Sequence, residues 1–329
     1  MIWYYRLMLS IDAGTYMEYR RLGKAGLKVS ELSFGSWITF GSNLNLNNIR
    51  QCLKMAFDAG INFFDNAEVY ANGASELLMG EAIKDLRRED LVISTKIFWG
   101  GKGPNATGLN WKHLVEGTKG SLRRLQLDYV DLLFCHRPDP TTPIEETVRA
   151  MDVLVRSGLA FYWGTSEWRA EDIEEAHQIA RAIHAIPPAM EQPEYNMFQR
   201  ARVEEEYASL YHKYGMGTTI WSPLESGILT GKYNEEIPPG SRLYRHEELR
   251  NRLTKEKIAK VKALEKIAHE LSCTLSQLAI AWCLKNPHVS SVILGASSIP
   301  QLQENLGAEQ VKLQLTDEIM QAIEGILQS

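Results

Sequence analysis

Cysteine is scarce: four occur in 329 residues, Cys52, Cys135, Cys273 and Cys283, each alone and none in a CxxC or other metal-ligand spacing. That excludes a disulfide scaffold and a thiolate metal centre, and no metal is expected. Single thiols suit a reducing compartment, so the chain is read as cytoplasmic. A basic excess is lacking too. The 36 Lys and Arg stand against 41 Asp and Glu, a formal net charge of −5. Nothing is left over to displace counterions from phosphates, and no nucleic-acid partner is expected. Long apolar runs are missing as well. The opening MIWYYRLMLSI is short, is broken by Arg6 and has neither a basic leader nor a small-residue cleavage site, so no signal peptide or membrane insertion is expected. With 44% hydrophobic and 23% charged residues the chain is also neither disordered nor collagen-like.

Two motifs are absent where nucleotide chemistry would show them. No G-x-G-x-x-G turn joins a strand to a helix, and LTGKY at 229–233 fails as a phosphate loop, because Gly227 is one residue too close and Tyr233 replaces the hydroxyl residue. No tyrosine is followed four residues later by lysine, which removes the short-chain dehydrogenase pairing.

What is present is a rhythm of short apolar runs alternating with amphipathic stretches, uninterrupted by a linker. Residues 1–18 are read as an N-terminal extension, disordered or artefactual, and 19–329 as a single domain. YRRLGKAGLKVS reads as a hairpin turning at Gly23 to Gly26. Eight strands follow: ELSFGSW, INFFD, LVISTK, VDLLFCH, AFYWGTS, AMEQPEY, GTTIWS and SSVILGA. Helical patterns lie between and after them at 47–59, 74–86, 112–125, 144–156, 170–182, 201–214, 255–271, 275–286 and 300–306. Eight βα units predict a (β/α)8 barrel of the α/β class, with a short N-terminal hairpin and extra C-terminal helices. The charged stretch KEKIAKVKALEKIAHE reads as a solvated helix face.

A parallel barrel works at the C-terminal ends of its strands. Polar residues closing apolar runs there are Ser36, Asp65, Lys96, His136, Ser166, Gln192, Ser222 and Ser297. Asp65, Lys96 and His136 close three consecutive strands, and Tyr70 follows Asp65 in a short loop. This set suits reversible carbonyl reduction with a nicotinamide as hydride source. Tyr70 would give the proton, Lys96 would lower its pKa, Asp65 would hold Lys96, and His136 would orient the carbonyl. Each residue also has a bland reading: a capping aspartate, a packed tyrosine, a core histidine. A Schiff-base role for Lys96, as in a barrel aldolase, is a third alternative, opposed by Asp65 because a paired carboxylate raises a lysine pKa.

The longer text decides among these. INFFDNAEVYANG, STKIFWGG, YVDLLFCHRPDP, AFYWGTSEW, EQPEYNMFQR, WSPLESGILTGKY and SSVILGAS together resemble the aldo-keto reductases, and within them the β-subunits of voltage-gated potassium channels with their plant and bacterial relatives. The likeness runs from about 19 to 327. It implies a barrel binding NADPH and reducing aldehydes or ketones, with the catalytic tetrad on Asp65, Tyr70, Lys96 and His136. The alternative it carries is an NADP(H)-bound regulatory subunit on a potassium channel with slow or vestigial catalysis. A homo-oligomer is implied as well, with a tetramer as one form. His136 stands where animal channel subunits have Asn, which favours catalysis.

By the same resemblance Ser166 and Gln192 hold the carboxamide, Trp221 lies at the nicotinamide, and Ser36 and Trp37 form the loop beside it. Glu167 and Gly295 join the cofactor contacts. Ser222, Pro223, Leu224, Glu225 and Gly227 match the pyrophosphate turn. Lys232, Arg242, Ser297 and Gln301 match the 2′-phosphate group, and Glu304 and Asn305 the adenine site. Trp37, Tyr70, Phe98, Trp99 and His136 are expected to wall the substrate pocket, an aromatic enclosure favouring aromatic or medium-chain carbonyls. Two departures put the cofactor grip in question: Glu225, where relatives have Ala, and Gly240, where animal subunits have Tyr.

Overall fold

The computed structural model describes residues 17–37, 46–296 and 298–329. Ser297 and the first sixteen residues of the expected extension lie outside them. The chain opens with an antiparallel hairpin, β1 (Tyr19–Arg21) and β2 (Lys28–Ser30), paired Tyr19 to Ser30. Its turn needs Gly23: φ is +57°, and a Cβ there would lie 2.2 Å from the Gly215 carbonyl oxygen. Lys24 then donates its amide to that same oxygen at 2.8 Å, which docks the hairpin under the barrel.

Eight parallel strands follow: β3 (Leu32–Gly35), β4 (Phe63–Asp65), β5 (Val92–Ile97), β6 (Val130–Cys135), β7 (Ala160–Thr165), β8 (Met190–Glu191), β9 (Gly217–Ile220) and β10 (Val289–Leu294). They pair in sequence order and close β10 onto β3, so the expected barrel is the one found. Around them run α1 (Leu46–Asp58), α2 (Ala74–Ile83), α3 (Trp111–Leu125), α4 (Ile144–Arg156), α5 (Ala170–Ala182), α6 (Ala208–Tyr214), α7 (Arg242–Arg245), α8 (Lys255–Glu270) and α9 (Leu275–Lys285). Three more helices end the chain: α10 (Ile299–Leu306), α11 (Ala308–Gln314) and α12 (Asp317–Gln328).

The strand period of two sorts the side chains. Phe64, Ile93, Leu133, Cys135 and Trp163 face the helices and join the main core, while Phe63, Val92, Leu132, Phe134 and Met190 fill the lower barrel interior against Leu22 and Val29 of the hairpin. Going up the inward rows, Val92 gives way to Ser94 and Lys96, Phe63 to Asp65, Phe134 to His136, and Met190 to Gln192. The interior is therefore an apolar plug below and a polar site above.

The structure departs from the sequence reading at four places. Met17, 5% exposed, packs in the core and Glu18 binds Lys312 at 2.8 Å, so both belong to the domain rather than to an extension. The single helix expected over 201–214 opens on a wider turn, in which the Tyr207 amide reaches the Arg202 carbonyl, five residues back, at 2.9 Å. The Tyr207 hydroxyl, which donates to the Trp168 carbonyl, and Arg202, bound to Glu167, hold that turn open. The short helix α7 stands where the sequence reading has none. Lys257, on the helix taken as a solvated face, turns inward to a buried carboxylate described below. Among the described residues no helix is long and apolar enough to cross a membrane, and no cluster of metal ligands occurs.

Candidate active site

The upper ends of β4 and β6 deliver Asp65 and His136 to the lining of one cavity of about 750 Å³, and the end of β5 between them sets Lys96 behind Asp65 and Tyr70. Lys96 is fully buried, and its three ammonium protons have three acceptors: Asp65 Oδ2 at 2.6 Å, the Asn66 carbonyl at 2.9 Å and Tyr70 Oη at 3.0 Å. Asp65 is fixed in turn, its Oδ1 accepting from Ser94 at 2.7 Å and Gln192 at 3.1 Å. Tyr70 enters from the tight turn after β4, where Ala71 and Asn72 take left-handed φ of 48° and 52°. Because Lys96 donates to Tyr70 Oη, the phenolic proton is left to point elsewhere.

Burial works against the Lys96 ammonium, yet Asp65 and Tyr70 outweigh it and the pKa is raised. An amine held protonated is a poor nucleophile, which removes support from the Schiff-base alternative. Tyr70 does not follow the expectation of a lowered pKa. Burial raises the phenol, and the pull of Lys96 offsets only part of that. His136 is held well below its ordinary value, first by burial and then by the charges of Lys96 and Arg137. It is a neutral imidazole, and its buried Nδ1 has no hydrogen-bond partner.

Aromatic rings surround this end. Trp37 lies 6.3 Å from Tyr70 and 6.1 Å from Trp221, Trp99 lies 5.1 Å from His136, and Tyr70 lies 5.8 Å from His136, centroid to centroid. Trp37, Tyr70, Trp99 and His136 line the cavity; Phe98 does not. It packs behind Trp99, 4.7 Å between centroids, against the main core.

The cavity is lined further by Ser166, Gln192 and Trp221, by Ser222, Pro223, Leu224 and Gly227, and by Lys232, Arg242, Gly295, Gln301, Glu304 and Asn305. Ser36 stands behind the wall, its hydroxyl donating to the Asp65 carbonyl at 3.0 Å. Glu167 is also outside the lining. Its Oε1 accepts the Trp221 indole N–H at 3.0 Å and the Glu194 amide at 2.6 Å, so it fixes the indole from behind. Glu225 is fully buried and turned from the cavity, accepting from Lys257 at 2.7 Å, Asn196 at 2.9 Å and Arg252 at 3.4 Å. The feared repulsion of phosphates is answered by that pairing. Gly240 lines the cavity at φ +77° with open space where a Cβ would sit.

The donor set fits a long anionic cofactor. Arg242 Nε and Ser241 Oγ are buried without hydrogen-bond partners, the Arg242 guanidinium carbon lies 4.5 Å from the Trp37 ring centroid, and Lys232 and Arg245 also line the wall. Gly227 takes φ +91°, a left-handed conformation that a side chain would strain, so the turn favours glycine there. The sequence reading missed Arg137, Thr230, Ser241, Arg245 and Ser276 on this wall. Arg137 had a signal, since it directly follows the strand-end His136; Ser276, brought in by α9, had none.

Comparison with known proteins bears on this site. Residues 31–328 match the Aldo/keto reductase family. A protein of Arabidopsis thaliana called a probable voltage-gated potassium channel subunit beta is 56% identical over 319 residues, covering 95% of this chain and 97% of the relative. One of the same description from Oryza sativa subsp. japonica is 54% identical over the same shares.

Proposed function

The chain belongs to the aldo/keto reductase family, and from that premise we propose that it is an NADPH-dependent reductase of aldehydes and ketones. The observation that carries the reading is the fully buried Lys96 ammonium donating to both Asp65 and Tyr70 Oη, which themselves line a cavity of about 750 Å³. NADPH, when bound, supplies the hydride that reduces the carbonyl carbon. Tyr70 gives its phenolic proton to the carbonyl oxygen, and Lys96, already donating to Oη, stabilises the phenolate left behind. Asp65 keeps Lys96 charged and aimed. His136, neutral, offers its one N–H to the same oxygen, while the indoles of Trp37, Trp99 and Trp221 wall the space beside it. Ser166 and Gln192 would hold the carboxamide, and Lys232 and Arg242 the 2′-phosphate that distinguishes NADPH.

The test is NADPH oxidation with 4-nitrobenzaldehyde and methylglyoxal, run on wild type and Tyr70→Phe. The variant should lose about 10²- to 10⁴-fold in kcat while binding NADPH, read by fluorescence, as wild type does. Binding without turnover by the wild type would sink the reductase reading.

A second reading is favoured by the names of the two plant relatives: a cofactor-bound regulatory subunit on a potassium channel. Co-purification with a channel's cytoplasmic domain would support it, and the two activities are compatible in one chain.

A further inference from the structure

Arg137 follows the strand-end His136 and lines the cavity at the substrate end, half-buried. Its Nη1 meets only neutral acceptors, the His136 carbonyl at 2.5 Å and Ser166 Oγ at 3.3 Å, and its guanidinium carbon lies 5.7 Å from the Trp99 ring centroid. Half-buried arginines outside the cavity hold carboxylates: Arg88 binds Asp131, Arg124 binds Glu76, and Arg252 binds Glu194; Arg242, which lines the same cavity over the Trp37 ring, has none among the described residues. Among the described residues no carboxylate is within ion-pair distance of Arg137. Asp65, the nearest acid of the tetrad, is already neutralised by Lys96 at 2.6 Å. The substrate end thus carries a net cation beside an aromatic wall, and the guanidinium has donors to spare.

We propose that Arg137 is a specificity-determining residue, and that the carbonyl substrates this cavity favours carry a carboxylate that its guanidinium receives. The proposal rests on the reductase reading and names its substrate class: oxo-acids with an aromatic or medium-length apolar body. The body lies among Trp37, Tyr70 and Trp99, the carbonyl reaches Tyr70 Oη and His136, and the carboxylate meets Arg137. A planar carboxylate matches the fork of the guanidinium, and a charge-assisted hydrogen bond in a partly desolvated site discriminates strongly against a neutral isostere.

The experiment compares kcat/KM for 3- and 4-carboxybenzaldehyde with that for 3- and 4-nitrobenzaldehyde, planar neutral isosteres. In Arg137→Met the carboxy-to-nitro ratio of at least one isomer pair should fall about ten- to hundredfold, and Arg137→Lys should recover part of it. Equal losses on both aldehydes would overturn the proposal, since they would mean that Arg137 only steadies Ser166. Should Arg137→Met not fold, calorimetry of wild type with benzoate and benzamide decides: benzoate about tenfold or more tighter supports the role, and equal binding ends it. Wild type that reduces neither aldehyde defeats the reductase reading, while the benzoate comparison still judges Arg137 by itself.

Discussion

The two ends of one barrel interior are built from the same strands and have opposite chemistry. At the lower end Phe63, Val92, Leu132, Phe134 and Met190 meet Leu22 and Val29 of the hairpin in a dry plug. Two to four residues further along the same rows stand Asp65, Lys96, His136 and Gln192, each less than 6% exposed: an ion pair, an imidazole with an unmet nitrogen, and an amide donating to Asp65. The plug is stabilised by burial and by close packing, at about 25 cal/mol per Å² of apolar surface. The upper end pays desolvation for groups it must keep aimed, which makes it the costly part of the fold and the reactive one. The lower end is what makes that tolerable: strands clamped below hold their polar tips within hydrogen-bonding distance above.

That division is broken most sharply at Lys96. Lys96→Met strands a buried Asp65 carboxylate, and urea denaturation should show a loss of about 3–5 kcal/mol together with collapse of aldehyde reduction. An unchanged unfolding midpoint would mean that the ion pair contributes nothing to holding the upper end. At the other end, Leu132→Ala should cost about 2–5 kcal/mol, yet leave kcat/KM for 4-nitrobenzaldehyde within a few-fold at temperatures where the variant is folded. Turnover falling as steeply as stability would show that the two ends are not separable.

The smallest effect expected concerns protons. His177 of α5 stacks on Tyr214 at 3.9 Å, and burial, reinforced by the Lys24 charge in the hairpin turn, lowers its pKa to about 4. The unfolded chain takes up a proton near pH 6.5 that the folded chain refuses until about pH 4, so this site contributes stability above pH 6.5 and loses it as pH falls toward 4. His177→Phe should flatten the decline of the urea midpoint across that window. A decline of the same slope in the variant would assign the pH dependence to other groups. The pKa of His136, at the upper end, is likewise lowered by burial and by the charges of Lys96 and Arg137.

Much of the site was legible because period two is legible. An apolar run closing on Asp65, Lys96 or His136 puts that residue on the inward row at the strand's end once the barrel closes. What escaped was whatever depends on a side chain's turning direction. Glu225 looked like a hazard to phosphates and is instead a buried partner of Lys257, on a helix read as merely solvated. Phe98 and Trp99 are adjacent letters, yet one lines the cavity and the other packs behind it. Glu167 was assigned to the cofactor and supports Trp221 from outside the cavity.

The sequence by itself determined the alternation of strand and helix, the barrel count, the family resemblance and the four residues at the strand ends and following turn, because these follow from local periodicity and chain order. Only the tertiary structure decided which charges are paired and which stay open. Lys96 is satisfied threefold, Glu225 is neutralised, and Arg137 is left with neutral acceptors and an open cavity. Ion pairing is set by distances of a few ångströms between groups tens of residues apart, and burial sets what each unpaired charge costs. Neither quantity exists until the barrel has closed.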